Sequence, residues 1–370
     1  ERDSLIADKL IAVQKQYDNP KAYTIAWAKN QKREVVEIVR KLIYEGGSKM
    51  GLNLSVQSMD DNVLEIIKRK NLEMHKITEV FEMCEEYNIP LYTELILGLP
   101  GETLETWKDN FYKLYKAGNH TGITVYQAQL LENAEMNLLQ RKLYQLEGQI
   151  VYDYLVGTYN EHELKEGIEV IVSTKDLPFD KMVDAQVFSW FMNTFHINGI
   201  TNYISRFLFK YANVEYETFY GKLLEHYSNW SKYGRIDHEP IQGMEIHGWN
   251  LIHSTLINLH GQDKHEHVFK IIYDFTKQFN LPKDIFEELM KFQSTFLVDH
   301  KKIQQYPQIL HFNNDIMGYI QTGMELNKPV SYEFDFPEDK DMSLQRFCEQ
   351  IFFARRRNFG KSWVTKHGIN

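Results

Sequence analysis

Apolar residues recur at two different periods along this chain, and the change of period divides it. Residues 2–17 carry Leu5, Ile6, Leu10, Ile11 and Val13 at helical spacing. Asp18-Asn19-Pro20 ends that run, because proline cannot continue a helix. Residues 22–28 (Ala-Tyr-Thr-Ile-Ala-Trp-Ala) read as a buried strand, and 31–45 as a helix stopped by Gly46-Gly47. Strand 51–57, helices near 60–70 and 75–87, strand 91–98, helix 103–117 and strand 122–129 follow. Strands alternating with helices at this spacing predict a parallel sheet with right-handed crossovers. Four strands are half of what a closed eight-unit barrel needs, so the expected fold is an α/β partial (βα) barrel.

From about residue 138 the pattern becomes helical. Aromatic and aliphatic residues at three- and four-residue spacing predict helices over 138–165, 178–195, 198–212, 214–232, 244–260, 264–279, 283–297 and 343–357, with one short strand candidate at 168–173. The expected organisation is therefore a partial barrel over 1–135 and a mostly α-helical domain over 136–370.

Bulk composition narrows the function classes. The 370 residues are 43% hydrophobic and 25% charged, ordinary for a globular protein with two cores. A net charge of −9 argues against general nucleic-acid binding, which needs a positive surface. The two cysteines, Cys84 and Cys348, give neither a disulfide framework nor a CxxC metal spacing. No apolar run reaches the ~18 residues of a bilayer span and the first residues do not form a signal peptide, so a cytoplasmic location without membrane partners is expected.

Two stretches carry the candidate chemistry. In strand 51–57, Leu52, Leu54 and Val56 face one way while Asn53, Ser55 and Gln57 face the other. A lumen lined by three hydrogen-bonding side chains suits a polar ligand; an edge strand with one face in water gives the same alternation. Ser58-Met-Asp-Asp61 predicts a capping box over the next helix. In Gly98-Leu-Pro-Gly-Glu-Thr103, Gly98 permits close approach of a ligand, Pro100-Gly101 sets a tight turn and Thr103 caps a helix. A flat ring against backbone here would find Ile96 as an apolar contact.

Together these two motifs, Leu-Ser-Val-Gln-Ser at 54–58 and Glu-Leu-Ile-Leu-Gly-Leu-Pro-Gly-Glu-Thr at 94–103, resemble the radical S-adenosylmethionine (radical SAM) family. The likeness is to the branch whose members often carry a cobalamin domain, and it covers roughly residues 1–135. It implies a truncated radical SAM barrel using S-adenosylmethionine and a 4Fe–4S cluster, with cobalamin as a further cofactor. By the same resemblance Ser55, Gln57 and Ser58 face the ribose and methionine end of the nucleoside, and Ile96 and Gly98 lie beside adenine. Lys29 and Asn30 match polar positions at the lumen mouth. Lys68 or Arg69 is placed to pair with the methionine carboxylate, a geometry that favours Arg. Tyr126 and Gln129 are secondary candidates.

The family's cysteine triplet is absent, and so is its glycine/acid motif for the methionine amine. The expectation is a C-terminal portion of a longer radical SAM enzyme, silent by itself, whose partners are the missing N-terminal portion and an unknown small-molecule or macromolecular substrate. The alternatives are a cluster-free scaffold and an ordinary barrel enzyme using acid–base chemistry at Glu94 and Lys29. The histidines from His247 to His267 offer a weak metal reading, and Arg355-Arg-Arg357 with Lys361 and Lys366 forms a basic tail.

Overall fold

The structure, a computed structural model, describes residues 2–20, 25, 33–46, 48, 51–152, 167–226, 265–335, 341–348 and 364–367. The expected strand 22–28 apart from Ile25, most of the histidine run and the arginine tail lie outside the described residues. Two compact units emerge. The first draws its described residues from Glu1–Asn119 and Ile123–Trp190, the second from His120–Gly122, Phe191–Tyr233 and Asn250–Asn370.

In the first unit, α1 (Arg2–Tyr17) and α2 (Arg33–Tyr44) bury Ala7, Ile11 and Leu42 against each other. β1 (Leu52–Gln57), β2 (Leu91–Leu97) and β3 (Gly122–Gln127) form a sheet in that order. β1 and β2 run parallel, with Ser55 opposite Glu94, and a bulge falls between Ser55 and Gln57. The intervening helices are α3 (Asp61–Ile66), α4 (Met74–Glu86) and α5 (Leu104–Lys116).

α5 shows why these residues fold as they do. Thr103 and Thr106 form a reciprocal capping box, and Trp107, Phe111, Leu114 and Tyr115 recur on one buried stripe. That stripe packs on α7 (Phe179–Met192), where Phe111 and Phe188 meet edge to face at 5.6 Å. The Trp107 indole N–H donates to Ser189 Oγ at 2.9 Å, which satisfies the one polar atom of a fully buried ring.

The segment after β3 departs from expectation. A helix was expected over 138–165; the chain instead makes a π-helical turn at Met136–Gln140, a single helical turn α6 (Arg141–Leu143), and the strand β4 (Glu147–Tyr152). β4 pairs antiparallel with β5 (Gly167–Ser173), the strand expected at 168–173. Polar Glu147 and Gln149 alternate with Leu146, Gly148 and Ile150, but Val151 breaks the alternation and the leucines of 138–146 fit a helical period. This hairpin lies along the chain leaving β3: Gln129 bridges Val170, and Leu130 N donates to Glu169 O at 2.8 Å. The fold is mixed α/β, and among the described residues the sheet does not close into a barrel.

The second unit contains α8 (Asn202–Ala212), α9 (Tyr216–His226), α10 (His265–Thr276), α11 (Lys283–Ser294) and α12 (Ile316–Thr322). Gln293 from α11 replaces the missing cap of α8: its carbonyl accepts from Tyr203 N at 3.1 Å while its amide donates to Gly199 O at 2.8 Å. An antiparallel sheet of β6 (Gln308–Phe312), β7 (Val330–Phe334) and β8 (Val364–His367) was not expected. These strands are four or five residues long, and β7 is almost wholly buried, so it lacks the period-two signal.

Candidate functional site

β1 and β2 build the site by simple alternation. Leu52, Leu54 and Val56 on β1, and Leu91, Thr93, Leu95 and Leu97 on β2, are buried. Asn53, Ser55 and Gln57, with Tyr92, Glu94 and Ile96, form the opposite, half-buried face. The sheet therefore brings Ser55 and Ile96 onto one surface and adds Glu94, while the bulge shifts the register so that Gln57 pairs with Leu95. The Ser55 hydroxyl donates to Glu94 Oε2 and lies 3.4 Å from Asn53 Oδ1.

Gln57 ends β1 with φ at 65°, a left-handed backbone that costs a non-glycine residue about 1–2 kcal/mol. Such strain persists where the surroundings over-determine it, and it gathers at ligand sites. Gly98 ends β2 with φ at 90°, a conformation open to glycine. A Cβ there would sit 3.1 Å from Met182 Cε and 3.5 Å from Gln127 Nε2, so both close approach and backbone demand glycine.

A buried polar brace joins the two strand ends. Glu102, wholly buried, accepts from Gly98 N at 3.0 Å and from Asn110 Nδ2 at 3.4 Å. Asn110 Oδ1 accepts from Met59 N at 2.6 Å and lies 3.4 Å from the Ser58 hydroxyl. Burial pushes the Glu102 carboxyl up to about 8, against the pull of its hydrogen bonds. Ser58 is thus fully buried and serves the brace, with its hydroxyl also accepting from Asp60 N at 3.1 Å. The expected Ser58–Asp61 capping box is not formed; Asp60 caps α3 by accepting from Val63 N at 3.0 Å. The reason is that Ser58 Oγ is already committed elsewhere.

Of the pair Lys68 and Arg69, Arg69 reaches β1. Its Nη2 donates to Ser55 O at 2.7 Å, and burial lowers its pKa, opposed by the charge of Glu94. Lys68 pairs with Glu135 at 2.5 Å. Ser55 and Lys68, Arg69, Lys70 and Asn71, together with apolar Leu54, Val56, Leu72 and Ile77, line a cavity of about 280 Å³; Gln57, Ile96 and Gly98 are not among its lining residues. Tyr126 is exposed, and Gln129 is half-buried where it bridges Val170. Lys29 and Asn30 lie outside the described residues. Sequence reasoning missed Glu102 and Asn110. A carboxylate placed directly after a Pro-Gly turn, and an asparagine on the apolar stripe of α5, were the available signals.

No protein-family model matches the chain. Curated relatives do. The cobalamin-dependent radical SAM methyltransferase TokK of Streptomyces tokunonensis is 26% identical over 356 residues, covering 91% of this chain and 51% of the relative. The 2-(S-pantetheinyl)-carbapenam-3-carboxylate methyltransferase of Streptantibioticus cattleyicolor is 31% identical over 227 residues, covering 61% and 33%. Among solved structures, TsrM from Kitasatospora setae, with tryptophan and a SAM analogue bound, aligns at a TM-score of 0.37 and 14% identity, over 51% of this chain and 40% of that one. That likeness is too slight to bear on the fold. The class to which the two sequence motifs pointed is radical SAM, and the homologues bear it out. More particularly, the first relative is a cobalamin-dependent radical SAM methyltransferase, the branch the resemblance indicated, and the second is a methyltransferase. The chain spans about half the length of the first relative and a third of the second.

Proposed function

We propose that this chain forms the nucleoside-binding and substrate-covering part of a cobalamin-dependent radical SAM methyltransferase acting on a small molecule. The observation that carries the reading is the shared polar face of β1 and β2, with strained Gln57 and brace-held Gly98 at its upper end. In this reading the adenosyl group lies on that face, its adenine at Ile96 and Gly98 and its ribose and methionine end at Ser55 and Gln57. Residues 1–135 supply the pocket and 136–370 cover the substrate. The pantetheinyl carbapenam carboxylate of the second relative's name is the first substrate to offer.

The residues present fit an adenosyl ligand but not an iron–sulfur cluster. A cubane cluster needs clustered thiolates, whereas Cys84 and Cys348 are single, buried, and belong to different units. None of this chain's residues carries the cluster's chemistry, so the chain alone is expected to be silent. No helix among the described residues is long and apolar enough to cross a membrane.

What this chain contributes is binding and orientation. The Glu102–Asn110 brace holds the two loops in fixed register, Gly98 presents bare backbone, and Ser55 offers a hydroxyl held by Glu94. The test is anaerobic iron–sulfur reconstitution of the chain alone and of the full-length polypeptide in which we place it. The assay reads S-adenosylmethionine cleavage and methyl transfer. Activity in the longer form with none in the chain alone is expected. No cleavage by either form, with the cluster loaded, contradicts the reading.

A further inference from the structure

Where the chain leaves β3, Leu131, Leu138, Leu139 and Leu143 are exposed over 59%, 67%, 69% and 67% of their surface. Leucines scattered singly over a surface need no explanation, but a group of them marks a place of contact. Local backbone gathers them. Met136–Gln140 is a π-turn, whose i→i+5 closure brings Leu138 into line with Leu143, and Leu139 lies four residues before Leu143 on the same turn into α6. Polar side chains of this segment fix it in place. Gln140 Nε2 donates to Ile66 O at 2.8 Å, Glu135 pairs with Lys68, and Arg141 donates from both terminal nitrogens to Glu169 of β5, at 3.1 and 2.6 Å. The leucines are therefore carried on a braced platform, not on a loose loop. Its location is equally defined. Ala128 N donates to Leu97 O at 2.8 Å, so the chain enters the platform beside Gly98, at the strand ends that close the polar face.

We propose that this leucine platform is the docking surface for the remaining part of the polypeptide, the part that brings the iron–sulfur cluster. The inference rests on the reading of the chain as a portion of a cobalamin-dependent radical SAM methyltransferase, and it names the surface that reading requires. Three observations select this occupant. The chain matches 51% of the first relative, so about as much polypeptide again lies outside the match there. Cys84 and Cys348 do not hold a cluster, so the body that delivers one must reach the strand ends at Gln57 and Gly98, and the platform stands beside them. The charged neighbours Lys68, Glu132, Glu135 and Lys142 are of both signs, which suits another protein surface and offers little to an anionic bilayer. A second copy of this chain would cover the leucines but bring no clustered thiolates.

Hydrogen–deuterium exchange of the chain alone and of the full-length polypeptide in which we place it, read over peptides spanning 131–146, tests the assignment. Exchange there is expected to be slower in the longer form by at least about tenfold, the factor that burying one leucine contributes to an opening equilibrium. Leu138→Asp combined with Leu139→Asp is expected to leave the melting temperature of the chain alone unchanged, because both side chains are exposed. In the longer form the same pair is expected to return exchange over 131–146 to the rate of the chain alone. Protection that survives the double substitution does not come from the leucines and overturns the proposal. Equal exchange in the two forms, when the longer one cleaves S-adenosylmethionine, overturns the docking surface and leaves the methyltransferase reading standing. Slow exchange in the chain alone, with a dimer seen by light scattering, gives the platform to a second copy and overturns it as well. A longer form that neither cleaves S-adenosylmethionine nor protects this segment removes the proposal and the methyltransferase reading together.

Discussion

Glu102 shows how one buried side chain sets the behaviour of the strand end it holds. Its carboxyl is stable uncharged: its pKa rises from the usual 4.5 to about 8. An acid whose folded pKa is raised contributes stability that is full below its unfolded pKa and is lost as pH rises through the folded value. The first unit is therefore expected to lose thermal stability as pH rises from about 5 to about 8. Glu102→Gln keeps an acceptor for Gly98 N without the titration, so its melting curve is expected to stay flat over that interval. Parallel pH profiles of both proteins by circular dichroism check this; equal slopes would contradict it. At this scale the sequence was partly legible. The shared face of Ser55 and Ile96 was readable because strand alternation decides it, whereas the bulge that shifts Gln57 out of that register has no local signal. Glu102 and Asn110 were not readable, because a buried polar pair has no period, and its meaning depends on two loops meeting.

Elements with strong local signals were read well, and those defined by distant partners were not. α1, α4, α5 and β2 lie within a residue or two of their expected bounds, because caps and apolar stripes mark them locally. The strand β4 and the sheet β6–β8 draw their stability from pairing across sequence, which no local window contains. α5 is the clearest case of local agreement, and its packing gives a prediction. Trp107 is fully buried and hydrogen-bonded to α7, so Trp107→Ala removes both the ring and the partner of Ser189. A loss of about 3–5 kcal/mol is expected, read from urea denaturation. A loss under about 1 kcal/mol would show that α5 and α7 do not depend on that contact.

For the whole molecule, the two units are expected to fail at opposite ends of the pH scale. In the second unit His196 sits in a π-helical turn, fully buried, 2.6 Å from the Tyr220 hydroxyl and 3.0 Å from His120. Burial first, and then the positive charge of Arg206, hold both imidazoles well below their ordinary value. A base with a depressed folded pKa contributes stability above its unfolded pKa and loses it as pH falls. The second unit should loosen as pH drops below about 6.5, while Glu102 makes the first unit loosen as pH rises. Peptide-resolved hydrogen exchange at pH 5 and pH 8 distinguishes the units; the same unit leading at both pH values would contradict the assignment.

The account as a whole depends on an adenosyl group occupying the polar face of β1 and β2. Hydrogen–deuterium exchange with and without saturating S-adenosylmethionine tests that most directly, because its readout is local in sequence. Protection is expected in the peptides spanning 52–59 and 94–103, with little change elsewhere in the first unit. Binding accompanied by protection confined to other segments would place the nucleoside somewhere else and contradict the account.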